Sequence, residues 1–393
     1  LVALMLLACT PAPLTRSRGA APTATAALAN AAPANGAAAT TTAAPDPPAS
    51  ARLAAAINEK LRTPSGGVFS YYRDGRQKNA DQNGVGHELL SESTGLLLAH
   101  AVAVGDTSLF ELAAGFYRHD LRSRVGLAYW KLDANGQPVR SRDEGPYSSA
   151  PNDELRIIRT LLAGASLTGE SGYDADARLA GRALLAGVRR GLLTDDVSWD
   201  PHPPTPGDRV EVDYLDVATM RALGTAESGW RDVADHSLDL VRRAVRPDGP
   251  PWQFYDFQTG RYSCEGGCST IAGLYTGLRL ESAGDRGAAE TIYRYYTGRL
   301  DRDAPLVGSY TPSGHPSDEQ DLTGYALLAR LAARLGDVDR ARGIVSRWVE
   351  PHRQPSGPVA GLYSEDPADA SAFVNLELLV TFDELENHRP PAD

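Results

Sequence analysis

The sequence predicts an all-α fold, an (α/α)6 toroid of about twelve helices, with a small hairpin and long loops on one face. Helix breakers recur at Gly105, Gly169, Gly224, Gly284 and Gly336, a period of roughly fifty-five to sixty residues and longer than that of the standard helical-repeat arrays. Each breaker joins two helical stretches by a short turn, and a long loop leads to the next pair. The first stretch of a pair is rich in Ala, Leu and Gly, as an inner helix walled on all sides should be. The second carries more Arg and Asp, as an outer helix facing water should. The long loops therefore share one face, where functional residues belong.

The elements run in order along the chain. Ala51 to Arg62 reads as a first helix, and Gly66 to Arg73 as an aromatic extended segment. Ser91 opens an apolar helix, Gly105-Asp106 breaks it, and a partner runs from Thr107 to about Arg122. Leu127 to Leu132 and Gln137 to Arg140 form a hairpin around Asp133-Ala134-Asn135-Gly136, whose Asn-Gly supplies positive φ angles. A loop reaching Asp153 opens the second inner helix, which stops at Gly169, and its partner runs from Tyr173 to about Arg190. Glu211-Val212-Asp213-Tyr214 leads into a helix ending near Gly224, and the stretch from Trp230 to Val245 is its partner. The aromatic loop Trp252 to Tyr262 precedes helices over Ser269 to Ser282 and on to Arg299. Asp318 to Asp321 opens a helix to Leu335, another reaches Trp348, and the last spans Asp369 to Leu385.

The first fifty residues read differently. Leu1 to Ala8 is too short to span a bilayer and, ending at Cys9, resembles a bacterial lipoprotein signal with its lipid-accepting cysteine. Residues 10–50 are mostly Ala, Thr and Pro, which cannot bury enough apolar surface to offset chain entropy, so they read as a tether. This organisation places 51–388 outside the cytoplasm on a lipid anchor. The net charge of −11, with no basic stripe, argues against a nucleic-acid partner. Cys264 and Cys268 are too few for a zinc site. In an exported chain they favour a local disulfide over free thiols. No cofactor or metal is expected, and the chain reads as a monomer.

On this fold Glu92, Asp153, Tyr214, Glu265 and Asp318 or Asp321 stand near the N-termini of inner helices around one opening. Each alone suits a helix cap, since acids meet free amides and the positive end of the dipole there. Converging on one rim, they make a site. The long loops add aromatics, among them Trp130, Trp252, Tyr255 and Tyr262, whose flat faces suit sugar rings. The opening thus calls for a carbohydrate.

At these residues the sequence resembles glycoside hydrolase family 8. Ser91-Glu92-Ser93-Thr94-Gly95, the apolar helix, Gly105-Asp106 and Phe110 are similar to that family's Ser-Glu-Gly-x-Gly-Tyr-Gly motif with its own apolar helix, Gly-Asp and Phe. Ala150 to Ile157 is similar to a second motif, in which the first family Asp falls on Asn152 and Asp153 takes its role. Tyr262 to Gly266 is similar to a third, without the arginine that comes after it in the family. The resemblance implies an (α/α)6 barrel and inverting cleavage of a β-linked polysaccharide such as cellulose, xylan, chitosan or an exopolysaccharide. It makes Glu92 the general acid and Glu265 the general base. The dipole at a helix start lowers a carboxyl pKa, so Glu92 needs burial beside another carboxylate, Asp153, to hold its proton. Two rivals remain: a polysaccharide-binding protein without activity, and another α/α-toroid enzyme such as a polysaccharide lyase or sugar epimerase.

Overall fold

The computed structural model describes residues 47–73, 88–141, 145–302, 304–317, 320 and 322–387. Cys9, nearly all of the tether, Asp318 and Asp321 lie outside them. The chain divides after Pro47, and Pro48–Asp393 is one compact unit.

Its helices are α1 (Ala49–Lys60), α2 (Ser91–Val104), α3 (Thr107–Phe116), α4 (Pro151–Thr168), α5 (Ser171–Leu184) and α6 (Val217–Leu223). They continue as α7 (Gly229–Ala244), α8 (Thr270–Ser282), α9 (Arg286–Leu300), α10 (Leu322–Arg334), α11 (Val338–Ile344) and α12 (Ala372–Asn387). The even-numbered helices close an inner ring, each packing on the next and α12 returning to α2. Outside it α3, α5, α7, α9 and α11 each pack on the inner helix before them. The first helix completes the outer layer by packing on the last, where the Ser50 backbone N–H donates to Glu386 at 3.2 Å. This is the (α/α)6 toroid.

The two layers differ as their sequences require. Every residue of α10 from Leu322 to Ala333 is buried, because neighbours surround it on all sides. The outer α7 buries one stripe, including Trp230, Val233, Leu240 and Val241, and turns Arg242 and Arg243 outward. Gly105, Gly284 and Gly336 adopt φ of 71°, 87° and 83°. The Asp after each caps the next helix, Asp106 accepting from the Leu109 N–H at 2.9 Å. Gly224 keeps an ordinary helical φ of −61°, so the third turn is built from several residues. The third inner helix is also short. A 3-10 turn at Val212–Tyr214 and the non-helical Leu215 delay it until Asp216 caps it through the Thr219 N–H.

The long loops are stitched to their neighbours by short antiparallel ladders. Leu89–Leu90 pairs with Lys131–Leu132, Tyr147–Ser149 with Val197–Trp199, and Arg209–Glu211 with Phe254–Asp256. Cys268–Ser269 pairs with Ser309–Tyr310, and Tyr71–Arg73 with Asp369–Ser371. The expected hairpin survives only as its turn and a single bridge, Leu132 to Pro138, with Gly136 at φ 76°. Its first strand pairs instead with Leu89–Leu90, the segment that delivers the chain to Glu92.

Candidate active site

The mouths of α2 and α4 meet. Ser91 Oγ donates to Asp153 Oδ2 at 2.6 Å, and Arg156 Nη1 donates to the other carboxylate oxygen at 3.1 Å. Arg156 lies one turn along α4 and is 2 % exposed. Gly95 gives it room, for a Cβ there would sit 2.9 Å from the arginine side chain. Its Nη2 donates to Tyr275 Oη at 3.2 Å. Tyr275 in turn donates to Glu377 of α12, which is paired with Arg330 of α10 at 2.9 Å. Beside this chain Arg279 of α8 binds Asp216 at 2.8 Å and Asn152 at 2.6 Å. Charged residues of four inner helices, with the Asp216 cap of a fifth, are thus paired and buried inside the ring.

Glu92 differs from these acids. Among the described residues no side chain donates a hydrogen bond to it, and it remains half-buried rather than sealed. Burial pushes its pKa up to about 8, the Asp153 charge adds to this, and Arg156 opposes it. Burial also raises Asp153, against the Arg156 charge and the Ser91 and Arg156 hydrogen bonds. Its neighbour Glu154 is fully buried, accepts the Ala128 N–H and is raised to about 8 by burial. At neutral pH Glu92 is therefore a protonated, half-buried carboxyl in the first turn of α2, beside the carboxylate that Arg156 holds. That is the pairing general acid catalysis needs.

Two further expected residues join this pair. Tyr214 is 7 % exposed, and its hydroxyl is held protonated by burial and by Glu211, Asp213, Asp153 and Glu92. Trp130 lies at the mouth of α2, where its carbonyl accepts from the Ser91 N–H at 3.1 Å. Its indole N–H is buried without a partner, and Lys131 Nζ lies 4.6 Å from its ring.

Other expected residues stand elsewhere. The Glu265 side chain is 65 % exposed and pairs with Arg209 at 2.9 Å. It sits on the small loop closed by a Cys264–Cys268 disulfide. Asp153, Arg156 and Glu377, not Glu265, are the charges that act on Glu92. Tyr262 donates its hydroxyl to the Leu240 carbonyl of α7 at 2.8 Å and packs on Tyr255 at 5.2 Å between rings. Trp252 lies under Arg246, 4.4 Å from the guanidinium. These three aromatics are engaged in packing where the loops meet the outer layer. Asp321 is outside the described residues.

Reading the sequence for helix mouths missed Arg156, Glu211, Asp213, Tyr275, Arg279, Arg330 and Glu377. A signal existed for several. A charge within an otherwise apolar inner helix, as in Leu155-Arg156-Ile157-Ile158 or Leu376-Glu377-Leu378-Leu379, has no water to face and must have a buried partner.

No protein-family model matches the sequence, and none of the curated proteins does. Solved structures do. An α-amylase from Clostridium perfringens matches with a TM-score of 0.76 at 22 % identity, covering 86 % of this chain and 97 % of that one. PssZ from Listeria monocytogenes matches at 0.64 and 14 % identity, covering 86 % and 96 %. The endoglucanase Cel10 from Klebsiella pneumoniae, a family 8 glycosyl hydrolase, matches at 0.59 and 14 %, covering 86 % and 100 %. The chain resembles the family 8 glycosyl hydrolases. At these identities the likeness is one of fold. It spans nearly the whole of each neighbour, so the ring and its rim ladders account for a complete domain of that kind.

Proposed function

We propose that this chain is a glycoside hydrolase that cleaves a β-linked polysaccharide with inversion, using Glu92 as the proton donor. The state of Glu92 carries this reading. Glu92 stands in the first turn of α2 without a guanidinium of its own, and burial beside Asp153 keeps it protonated to about pH 8. Protonating a leaving glycosidic oxygen requires such a group. Trp130, partly exposed at the mouth of α2, offers a ring next to it, and the named neighbours include an endoglucanase. The substrate would reach the site outside the cytoplasm, with the domain held to the membrane through Cys9.

A second reading concerns the linkage. The C. perfringens neighbour is an α-amylase, so an α-linked glucan is the alternative substrate. Purified full-length protein offered cellulose, xylan, chitosan, mixed-linkage glucan and starch decides between them. Release of reducing ends from a β-glycan, with the opposite anomer visible first by proton NMR, is expected. Turnover of starch alone would move the reading to the α-linked substrate. Unsaturated ends absorbing in the ultraviolet, or binding without turnover on every glycan, would refute hydrolysis.

A further inference from the structure

Two carboxyls, Glu92 and Asp153, stand at the mouths of α2 and α4, and the groups bonded to Asp153 set which of them carries a proton. Ser91 Oγ meets Asp153 Oδ2 at 2.6 Å, and Arg156 Nη1 donates to Oδ1 at 3.1 Å. These two partners are not equivalent. A hydroxyl both donates and accepts, so the Ser91 bond survives protonation of Asp153 by reversing its direction. A guanidinium only donates and keeps its charge, so Arg156 favours the carboxylate alone. Its other end is fixed in the same sense. Nη2 donates to Tyr275 Oη at 3.2 Å, and that hydroxyl donates to Glu377.

The same arginine lies against the helix that carries Glu92. Gly95 stands three residues after Glu92, on the same face of α2. A Cβ at Gly95 would meet the arginine Cδ at 2.9 Å and its Cγ at 3.1 Å, so a larger residue there would displace the stem. The other charged groups around the pair are committed elsewhere. From α8, Arg279 binds Asp216 and Asn152, and from α12, Glu377 is paired with Arg330. On α4, Glu154 accepts the Ala128 N–H, and at the mouth of α2, Lys131 pairs with Glu88 at 2.9 Å. The Tyr214 hydroxyl, in the turn before the third inner helix, feels both carboxyls and the Asp213 charge beside it. Among the described residues Arg156 is therefore the one cation bonded to either carboxyl.

We infer that Arg156 is a positioning residue of this site: by bonding the Asp153 carboxylate it places the single proton of the pair on Glu92. Burial raises both carboxyls, and the charge and hydrogen bond of Arg156 hold Asp153 down against it. On Glu92 the same arginine acts by charge alone, without a bond, and burial wins. Loss of Arg156 therefore lets Asp153 take up a proton of its own, and the pair becomes two neutral carboxyls. The kinetic consequence rests on the hydrolase reading above, whereas the placement of the proton does not.

The experiment compares full-length wild type, Arg156→Met, Arg156→Lys and Gly95→Ala. It follows the labelled Asp and Glu carboxyls by carbon-13 NMR against pH, with Asp153→Asn and Glu92→Gln assigning the two resonances. It also records kcat against pH on whichever glycan the wild type cleaves. In Arg156→Met the Asp153 midpoint should rise by about 1–3 pH units, the scale of a lost neighbouring cation, and the acid limb of kcat should move up with it. Arg156→Lys keeps the charge and should hold both near their wild-type positions. Gly95→Ala leaves the charge in place but crowds the arginine stem, so it should shift the Asp153 midpoint in the same direction by less. An unchanged Asp153 midpoint in Arg156→Met, or in Gly95→Ala where Arg156→Met does not fold, would overturn the assignment. A fall in kcat by one factor at every pH would mark Arg156 as structural only and overturn it as well. A wild type that hydrolyses no glycan overturns the hydrolase reading, and the carboxyl midpoints still decide where the proton lies.

Discussion

Ser91 Oγ and Asp153 Oδ2 lie 2.6 Å apart, and this hydrogen bond ties the first turn of α2 to the first turn of α4. It brings the Asp153 charge to bear on Glu92, the residue after Ser91, and so helps keep the Glu92 proton in place. Glu92→Gln retains the shape and the neutral state but has no proton to give. It should lower kcat by at least about two orders of magnitude, the scale of general acid loss, while substrate binding persists. Asp153→Asn should cost activity comparably. Single-turnover rates and calorimetric binding on the responsive glycan measure both, and near-normal turnover in Glu92→Gln would remove it from the mechanism.

The same proton makes a prediction about stability. The folded pKa of Glu92, about 8, lies above its ordinary 4.5, so between these values the folded chain holds a proton that the unfolded chain has released. Stability contributed by this group is therefore full below about pH 4.5 and declines as pH rises towards 8. Glu92→Gln removes the penalty. Its melting temperature should exceed that of wild type by a few degrees at pH 8 and match it at pH 4.5. An equal difference at both pH values would mean that Glu92 is not the titrating group.

The ring was legible in the sequence because it depends on repetition. Gly-Asp at 105–106, 284–285 and 336–337 both ends one helix and caps the next, and the contrast between all-buried α10 and striped α7 comes from where each faces. Glu92, Asp153 and Tyr214 were legible for the same reason, as polar residues at the start of apolar helices. Glu265 matched a motif by order along the chain, yet the Cys264–Cys268 loop carries it to the surface and into an ion pair with Arg209. Tyr255 and Tyr262 were read as platforms, but the ladder from Phe254 to Asp256 that pairs with two neighbouring strands turns them into packing. Such pairings join segments distant in sequence, and no local pattern announces them.

Arg279 holds two of the elements that face the site. It pairs with Asp216, the cap of α6, and donates to Asn152 at the start of α4, with both acceptors buried. Removing it leaves the buried Asp216 carboxylate with Arg159 as its only cation beside the Thr219 N–H, and the Asn152 amide oxygen without its donor. Arg279→Met should destabilise by about 3–5 kcal/mol, the scale for breaking a buried ion pair from one side. Chemical denaturation with an unchanged m-value checks it, and a loss under about 1 kcal/mol would show that the ring tolerates the vacancy.

Packing between the layers gives a prediction independent of any chemistry. Gly164 of α4 lies against Phe110 of α3, and a Cβ added there would meet the phenyl ring at 1.8 Å. Phe110 is fully buried and edge-packed on Tyr173 at 5.0 Å, so it has little space to withdraw. Gly164→Ala should destabilise by about 1–3 kcal/mol through overpacking. Adding Phe110→Leu should recover part of that loss, because the smaller side chain vacates the collision. Thermal melts of the two single variants and the double variant test the coupling, and strict additivity would argue against a clash.

The last prediction concerns where the domain works. We propose that Cys9 carries lipid and that the Ala/Thr/Pro-rich segment after it spaces the domain from the membrane surface. No described helix is long and apolar enough to cross a bilayer, so membrane retention of the described domain would need an attachment of another kind. A single acyl chain binds reversibly, whereas two or more hold firmly. Expressed in a host that processes lipoproteins, the wild type should partition into the detergent phase and resist extraction by high salt, which releases proteins held by charge alone. Cys9→Ser should appear in the aqueous phase with an unchanged circular dichroism spectrum and unchanged turnover, because the toroid begins at α1, forty residues further on. Equal membrane retention of the two forms would refute the anchor.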